Sequence, residues 1–234
     1  MKTTRREIMI RAHPGALYGD LTVPPHATGV VIFAHGSGSG RYSPRNREVA
    51  KTLNQAGLAT LLLDLLTTEE EATDQFTAHL RFDVNLLAHR LLLASDWVRA
   101  EPDTRDLKIG YFGASTGAAA ALLAAAQRPE LVSAVVSRGG RPDLAGPALQ
   151  KVLAPTLLIV GGADHAVIPL NQEVYAQLSC EKSLEIVPRA THLFEEPGTL
   201  EQVALLAATW FKNRLARPEL AASRLVGTIG PAVK

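Results

Sequence analysis

One cysteine, Cys180, in a chain of 234 residues excludes an internal disulfide and leaves no thiol cluster for a metal. Its setting, Leu178-Ser179-Cys180-Glu181, resembles a helix end rather than a nucleophile turn, so the thiol is read as structural. An excess of one charge sign is missing too: 24 Lys and Arg stand against 23 Asp and Glu, a formal net charge of +1, and the cations form no stripe. Nucleic acid and a membrane surface are therefore poor partners. No low-complexity linker and no internal repeat divides the chain, and its length suffices to bury one core. Residues 1–234 are expected to form a single domain, with Ala216 to Lys234 as a loosely attached tail. A membrane-spanning run is absent as well. The uncharged stretch between Lys108 and Arg128 is mostly alanine and glycine, carries Ser115 and Thr116, and lacks the Leu, Ile, Val and Phe density that favours insertion. The basic start, Met1 to Arg6, is followed by Glu7 without a sustained apolar segment or an A-x-A site, so no secretory signal is read and a cytoplasmic protein is expected.

What the chain does have is concentrated in that same stretch. Leu107 to Gln127, LKIGYFGASTGAAAALLAAAQ, reads as a buried strand, a sharp turn and a small-residue helix in succession. Within it, Gly113-Ala114-Ser115-Thr116-Gly117 fits the G-x-S-x-G pattern, in which the serine takes a strained backbone position and small neighbours let helix and strand approach. Five-mers of this kind also arise by chance. Here Ile109, Tyr111 and Phe112 supply the strand before it and Ala118 to Ala126 the helix after it. The turn lifts the Ser115 hydroxyl above the strand's carboxyl end, and the free N–H of Thr116, at the positive end of the helix, faces any oxyanion formed there. Ser115 is the candidate nucleophile and Thr116 one half of an oxyanion hole.

The rest of the chain alternates strands and helices around this unit. Glu7 to Ala12 and Ala16 to Val23 flank His13-Pro14-Gly15 as an antiparallel hairpin at a sheet edge. Val30 to Ala34 is a continuous apolar run, as in a central parallel strand covered on both faces. Ser43 as N-cap, Pro44 at the first helical position and Gly57 as a stop bound a helix. Leu58 to Leu65 is the next strand, and Thr67 to Gln75 is acidic without a strong period, so it reads as a surface loop with Glu69-Glu70-Glu71 as solvated charge. Asp83 to Ala100 places Val84, Leu87, Leu91, Ala94 and Val98 on one helix face. Leu131 to Ser137, Thr156 to Val160 and Leu184 to Val187 are strands; helices are expected to start at Val167 and to run from Thr199 to Leu215. The connection from Ser137 to Thr156 is too short for a cap domain.

Three post-strand loops carry the remaining chemistry. His35 to Gly40, HGSGSG, lacks both a G-x-G-x-x-G leading into a helix and a Walker lysine, so phosphate cradling gets little weight. Its glycines instead let backbone face a site, with Ser37 as the second oxyanion donor and Gly36 next in line; His35 is read as ordering that loop. Asp164 follows the Thr156 strand and His192 follows the Leu184 strand. Nucleophile, acid and base thus occur in the order Ser, Asp, His, which is the α/β-hydrolase order. His165, beside Asp164, would point elsewhere. Arg138 and Arg141 follow the Leu131 strand and would hold an anionic substrate if they face the site, against the commoner state of pairing with Asp143 or facing water.

On these segments, FAHGSGSGRYSPRN, LATLLLDLLT, GYFGASTGAAAAL, LLIVGGADHAVIP and THLFEEPG, the chain resembles the dienelactone hydrolase-like branch of the α/β-hydrolases from about Val30 to Leu215. The resemblance implies an α/β fold with a mainly parallel central sheet, helices on both faces and no cap. It implies a Ser115, Asp164, His192 triad and hydrolysis of a carboxylic ester or lactone without metal or organic cofactor. Dienelactone hydrolase itself uses a cysteine nucleophile and a positioning glutamate, where this chain has Ser115 and His35-Gly36. The expectation is therefore a serine hydrolase acting through an acyl-enzyme on a small-molecule ester or lactone, as a monomer or homodimer. Thioesterase or peptidase action on the same triad, and a non-catalytic hydrolase-like binding protein, are the alternatives.

Overall fold

The computed structural model describes residues 2–216, so the expected tail beyond Ala216 lies outside the described residues. Among these residues eight strands form one sheet: β1 (Thr4–Arg11), β2 (Ala16–Val23), β3 (Gly29–Ala34), β4 (Ala59–Leu63), β5 (Lys108–Ala114), β6 (Val132–Arg138), β7 (Thr156–Gly161) and β8 (Lys182–Val187). Their order is β1-β2-β4-β3-β5-β6-β7-β8. β1 and β2 make the expected antiparallel hairpin, β2 runs antiparallel to β4, and every pairing from β4 to β8 is parallel. Parallel strands put all their carboxyl ends on one edge, and that edge gathers the loops after β3, β5, β6, β7 and β8.

Among the described residues six α-helices accompany the sheet: α1 (Pro44–Gln55), α2 (Thr68–Thr77), α3 (Val84–Ala100), α4 (Thr116–Gln127), α5 (Ile168–Gln177) and α6 (Thr199–Leu215). Strand side chains alternate between faces, which splits the core into two layers. Val30 and Ile32 point into the layer built by α3, α4 and α5, while Val31 and Phe33 point into the layer built by α1 and α6. Burial on both faces is why β3 reads as an unbroken apolar run. No helix among the described residues is long and apolar enough to cross a membrane. Between β6 and β7 the chain makes only short 3-10 turns over Pro142–Lys151, broken at Gly146 and Pro147, so no cap domain sits there.

The acidic segment expected as a loop is helix α2, and the reason is a capping box. The Thr67 side chain accepts from the Glu70 N–H at 3.3 Å, and the Glu70 carboxylate accepts from the Thr67 N–H at 2.8 Å. The same carboxylate pairs with Arg90, a buried cation on α3. At the other end of α2 the fully buried Asp74 accepts from the Leu80 and Arg81 N–H groups and from the Arg81 guanidinium. Burial would raise the Asp74 pKa, but the Arg81 guanidinium and the two N–H groups outweigh it and hold the carboxyl below its ordinary value. Two of the acidic side chains are thus fastenings; Glu69 and Glu71 remain exposed.

Phe211 of α6 is fully buried and occupies the space above Gly110 of β5, where an added Cβ would lie 2.6 Å from its ring. Phe211→Ala is expected to cost about 3–5 kcal/mol, the usual range for an emptied aromatic core site, read from the shift of the urea unfolding midpoint. A loss below about 1 kcal/mol would mean that α6 is not docked on the sheet through this ring.

Candidate active site

The G-x-S-x-G segment closes β5 and opens α4. Ser115 has φ 50° and ψ −123°, a backbone region that side chains other than glycine rarely enter. Two backbone bonds hold it there: Ser115 N–H donates to the Arg138 carbonyl at 3.3 Å, and Arg141 N–H donates to the Ser115 carbonyl at 3.0 Å. The flanking glycines are required by proximity. A Cβ on Gly117 would lie 2.2 Å from the Ala34 carbonyl oxygen, and one on Gly113 would lie 2.5 Å from the Ala118 Cα. Thr116 is the first residue of α4, so its N–H is one of the donors the helix cannot satisfy internally.

Asp164 and His192 arrive from the loops after β7 and β8, which are pinned to one another. Ala163 N–H donates to the Ala190 carbonyl at 2.9 Å. Thr191, through its N–H and hydroxyl, donates to the Glu196 carboxylate; the bonds from Thr191 hold that carboxyl below its ordinary pKa and fix the His192 loop. In this setting His192 Nδ1 is 2.8 Å from Asp164 Oδ2. A carboxylate accepts, so Nδ1 carries the proton and Nε2 is left as the basic nitrogen. His165 is exposed and outside the cavity.

Ser115 and His192 line one cavity of about 240 Å³, together with Gly36, Ser37, Arg45 and Arg138. No hydrogen bond joins the Ser115 and His192 side chains. Gly36 is close enough that an added Cβ would be 3.0 Å from the Ser115 Cβ, which puts the loop after β3 beside the serine. The cavity opens into a wider groove of about 710 Å³ bordered by Tyr18, Tyr42, Leu66 and Gln75, with Ser37, Ser39, Ser43 and Arg45 common to both. Among the described residues no group of three or more His, Cys, Asp or Glu is placed to hold a metal ion.

His35 orders the loop from behind. Its Nε2 accepts from the Leu65 N–H at 3.1 Å and its Nδ1 donates to the Gly36 carbonyl at 3.0 Å, so both ring nitrogens hold backbone and the ring is neutral. Burial lowers its pKa, against the opposing pull of the Gly36 carbonyl, Asp64 and Glu71.

The two arginines part company. Arg141, one of the two candidates for holding an anionic substrate, lies outside the cavity and makes a two-pronged pair with Asp143 at 2.9 and 2.8 Å, the commoner state weighed against that role. Arg138 is buried, has no acidic partner among the described residues and lines the cavity. Arg45, from the first turn of α1, joins it there and was invisible to motif reasoning, because an arginine at a helix start carries no signal of its own.

The strand order, the serine on a strained turn after β5 and the Asp164–His192 pair on the loops after β7 and β8 define the α/β-hydrolase fold class. The model of the Dienelactone hydrolase family matches residues 16–213, and the chain belongs to that family. A crystal structure of dienelactone hydrolase from Anabaena variabilis ATCC 29413 is 60% identical with a TM-score of 0.90, over 92% of this chain and 100% of that one. Est1E from Butyrivibrio proteoclasticus, 17% identical with a TM-score of 0.76 over 90% of this chain and 99% of that one, shares the fold. A Mycobacterium tuberculosis H37Rv protein named "Putative phosphoribosyl transferase Rv0571c" is 57% identical over 212 residues, which are 91% of this chain and 47% of that protein. The chain thus spans about half the length of that curated relative.

His35 gives this loop a pH dependence of definite sign. A histidine whose pKa is lowered on folding stabilises the fold fully above its unfolded value of 6.5, and the contribution is lost as pH falls from there through the lowered folded value. The difference in melting temperature between the wild type and His35→Gln should be constant above pH 6.5 and shrink on acidification. A difference that grows as pH falls would show that the ring is charged in the fold.

Proposed function

We propose that the chain is a serine hydrolase that cleaves small carboxylic esters or lactones through a covalent acyl-enzyme. The observation that carries this is the 2.8 Å bond from His192 to Asp164 at the mouth of the cavity that also holds Ser115 on its strained turn. Ser115 Oγ attacks the carbonyl while His192 Nε2 takes its proton; Asp164 keeps the proton on Nδ1 and stabilises the imidazolium. The N–H groups of Thr116 and of Ser37, with Gly36 beside it, receive the oxyanion. His192 then returns the proton to the leaving group and activates water for deacylation. Nucleophile and proton relay are both supplied by side chains, so the chemistry needs no metal or organic cofactor.

The transferase name belongs to a protein about twice the length of the matched segment and is a name for that whole protein, so it is not carried to this chain. Thioesters and peptides use the same triad, so a panel of short nitrophenyl esters, acyl thioesters and lactones is the test, with hydrolysis of none of them counting against the reading.

Ser115→Ala should lower kcat on order of a million-fold while leaving the fold intact, as in the subtilisin example of such a knockout. Asp164→Asn should leave slow but measurable turnover, down about ten-thousand-fold as in the serine-protease precedent, because an amide favours the wrong tautomer. A larger loss in His165→Ala than in Asp164→Asn would overturn the choice of acid. The cavity of about 240 Å³ encloses only a short acyl group and the groove beyond it is open, so kcat/KM should fall from acetate to palmitate esters; a rise would indicate an apolar tunnel.

A further inference from the structure

Helix α2 is pinned more firmly than its own packing accounts for. It has ten residues, only Asp74 among them is buried, and Phe76 stands 90% exposed, so no apolar face docks it on the core. Ion pairs hold it instead, Glu70 to Arg90 at one end and Asp74 to Arg81 at the other. These fastenings present one side of the helix. Thr68, Glu71, Ala72 and Gln75, at the spacing of a single helix face, line the groove of about 710 Å³ that continues from the cavity of Ser115 and His192. All four are exposed. Tyr18 and Tyr42 line the same groove, and both rings lie against the Arg41 guanidinium, with centroids 5.7 and 4.7 Å away. Arg41 is itself tied to Glu7, Asp20 and Asp64. Of the charged side chains on the groove, Asp64 is thus bound by Arg41, and Arg45 is paired with Glu195 at 3.2 Å. Glu71 makes no ion pair among the described residues.

We propose that this groove is the alcohol subsite and that the alcohol is a sugar or similar polyol, so that the substrate is a short acyl ester of a carbohydrate hydroxyl. The proposal rests on the serine-hydrolase reading and gives it a leaving group. The cavity of about 240 Å³ takes the short acyl group, and the rest of the ester extends into the groove. A carboxylate without a cation accepts from hydroxyls, two at once from neighbouring positions of a polyol, and such charge-assisted bonds are stronger than neutral ones. Gln75, one turn further along the same face as Glu71, both donates and accepts, which suits a hydroxyl of either orientation. Sugar rings also carry a face of C–H groups, and the tyrosines offer flat apolar surface with a polar tip at low entropic cost. An alkyl alcohol would cover Glu71 and Gln75 without bonding them, so the groove discriminates against it. Because ion pairs fix α2 beforehand, these polar groups need little ordering when a ligand arrives.

Two pairs of acetates matched in shape test this: 6-O-acetylglucose against cyclohexylmethyl acetate, and glycerol monoacetate against 2-methylbutyl acetate. The wild type should prefer the hydroxylated member of at least one pair by about ten-fold or more in kcat/KM. Glu71→Ala and Gln75→Ala are changes at exposed positions that leave both fastenings of α2 in place. Each should bring the ratio towards one, chiefly through KM, because the hydroxyls are held alike before and during the reaction. Glu71→Gln should keep part of the preference, since an amide still accepts a hydrogen bond but without the charge. Ratios near or below one in both pairs for the wild type overturn the proposal, whatever the variants do. So does a preference that survives in the double variant of Glu71→Ala and Gln75→Ala, which would show that the hydroxyls are recognised elsewhere. If no acetate is turned over, saturation-transfer NMR with methyl glucoside and with glycerol separates the two claims. Binding to the wild type that the double variant loses would keep the groove as a polyol site and reject the hydrolase reading; no binding, or binding that the double variant retains, would reject the groove.

Discussion

The close approach of α4 to β3 is the constraint on which the rest of this molecule depends. Gly117 lies so near the Ala34 carbonyl that no side chain fits between them, and this contact carries the amino end of α4 over the carboxyl end of β3. Three consequences follow from that one distance. Ser115 is forced to φ 50° at the top of β5. The Thr116 N–H is left free above the sheet edge, and the loop that leaves β3 must pass directly beside the serine. The serine, the helix end and Gly36 are therefore set by packing between rigid elements, which is how a site holds its geometry before a ligand arrives.

Around that core the site is built from pairs of fastened loops. His35 ties the loop after β3 to β4 through backbone bonds on both ring nitrogens. The loops after β7 and β8 are bonded to each other, which holds Asp164 and His192 side by side. Helix α2, on the rim of the groove, is clamped at its start by Glu70 to Arg90 and at its end by Asp74 to Arg81. Against these satisfied groups Arg138 stands out, since it alone of the buried charges at the cavity has no acid to meet among the described residues.

The sequence was most legible where one force acted alone. Strands buried on both faces, such as Val30 to Ala34, show as unbroken apolar runs; Ser43 and Pro44 announce α1 through cap chemistry; and the G-x-S-x-G turn is visible because sterics permit so few residues there. Helix α2 is hard to read because its acidic run has the look of solvated charge, although Thr67 and Glu70 have the spacing of a capping box. The arginines show the opposite limit. Arg138 ends β6 and Arg141 lies three residues on in the connection after it, and only the direction of each side chain decides that Arg141 pairs with Asp143 while Arg138 faces the cavity. Arg45 reaches the cavity from a helix over ninety residues away from them in the sequence, a meeting that depends on the whole strand order.

The central claim is that Ser115 is a nucleophile activated by His192 and Asp164. Reaction of the intact protein with a fluorophosphonate, followed by peptide mapping in the mass spectrometer, tests it without any knowledge of the natural substrate. The account predicts a single phosphonate adduct, on Ser115, whose formation slows sharply in His192→Ala. No adduct after prolonged exposure, or an adduct on another serine such as Ser37, would contradict it.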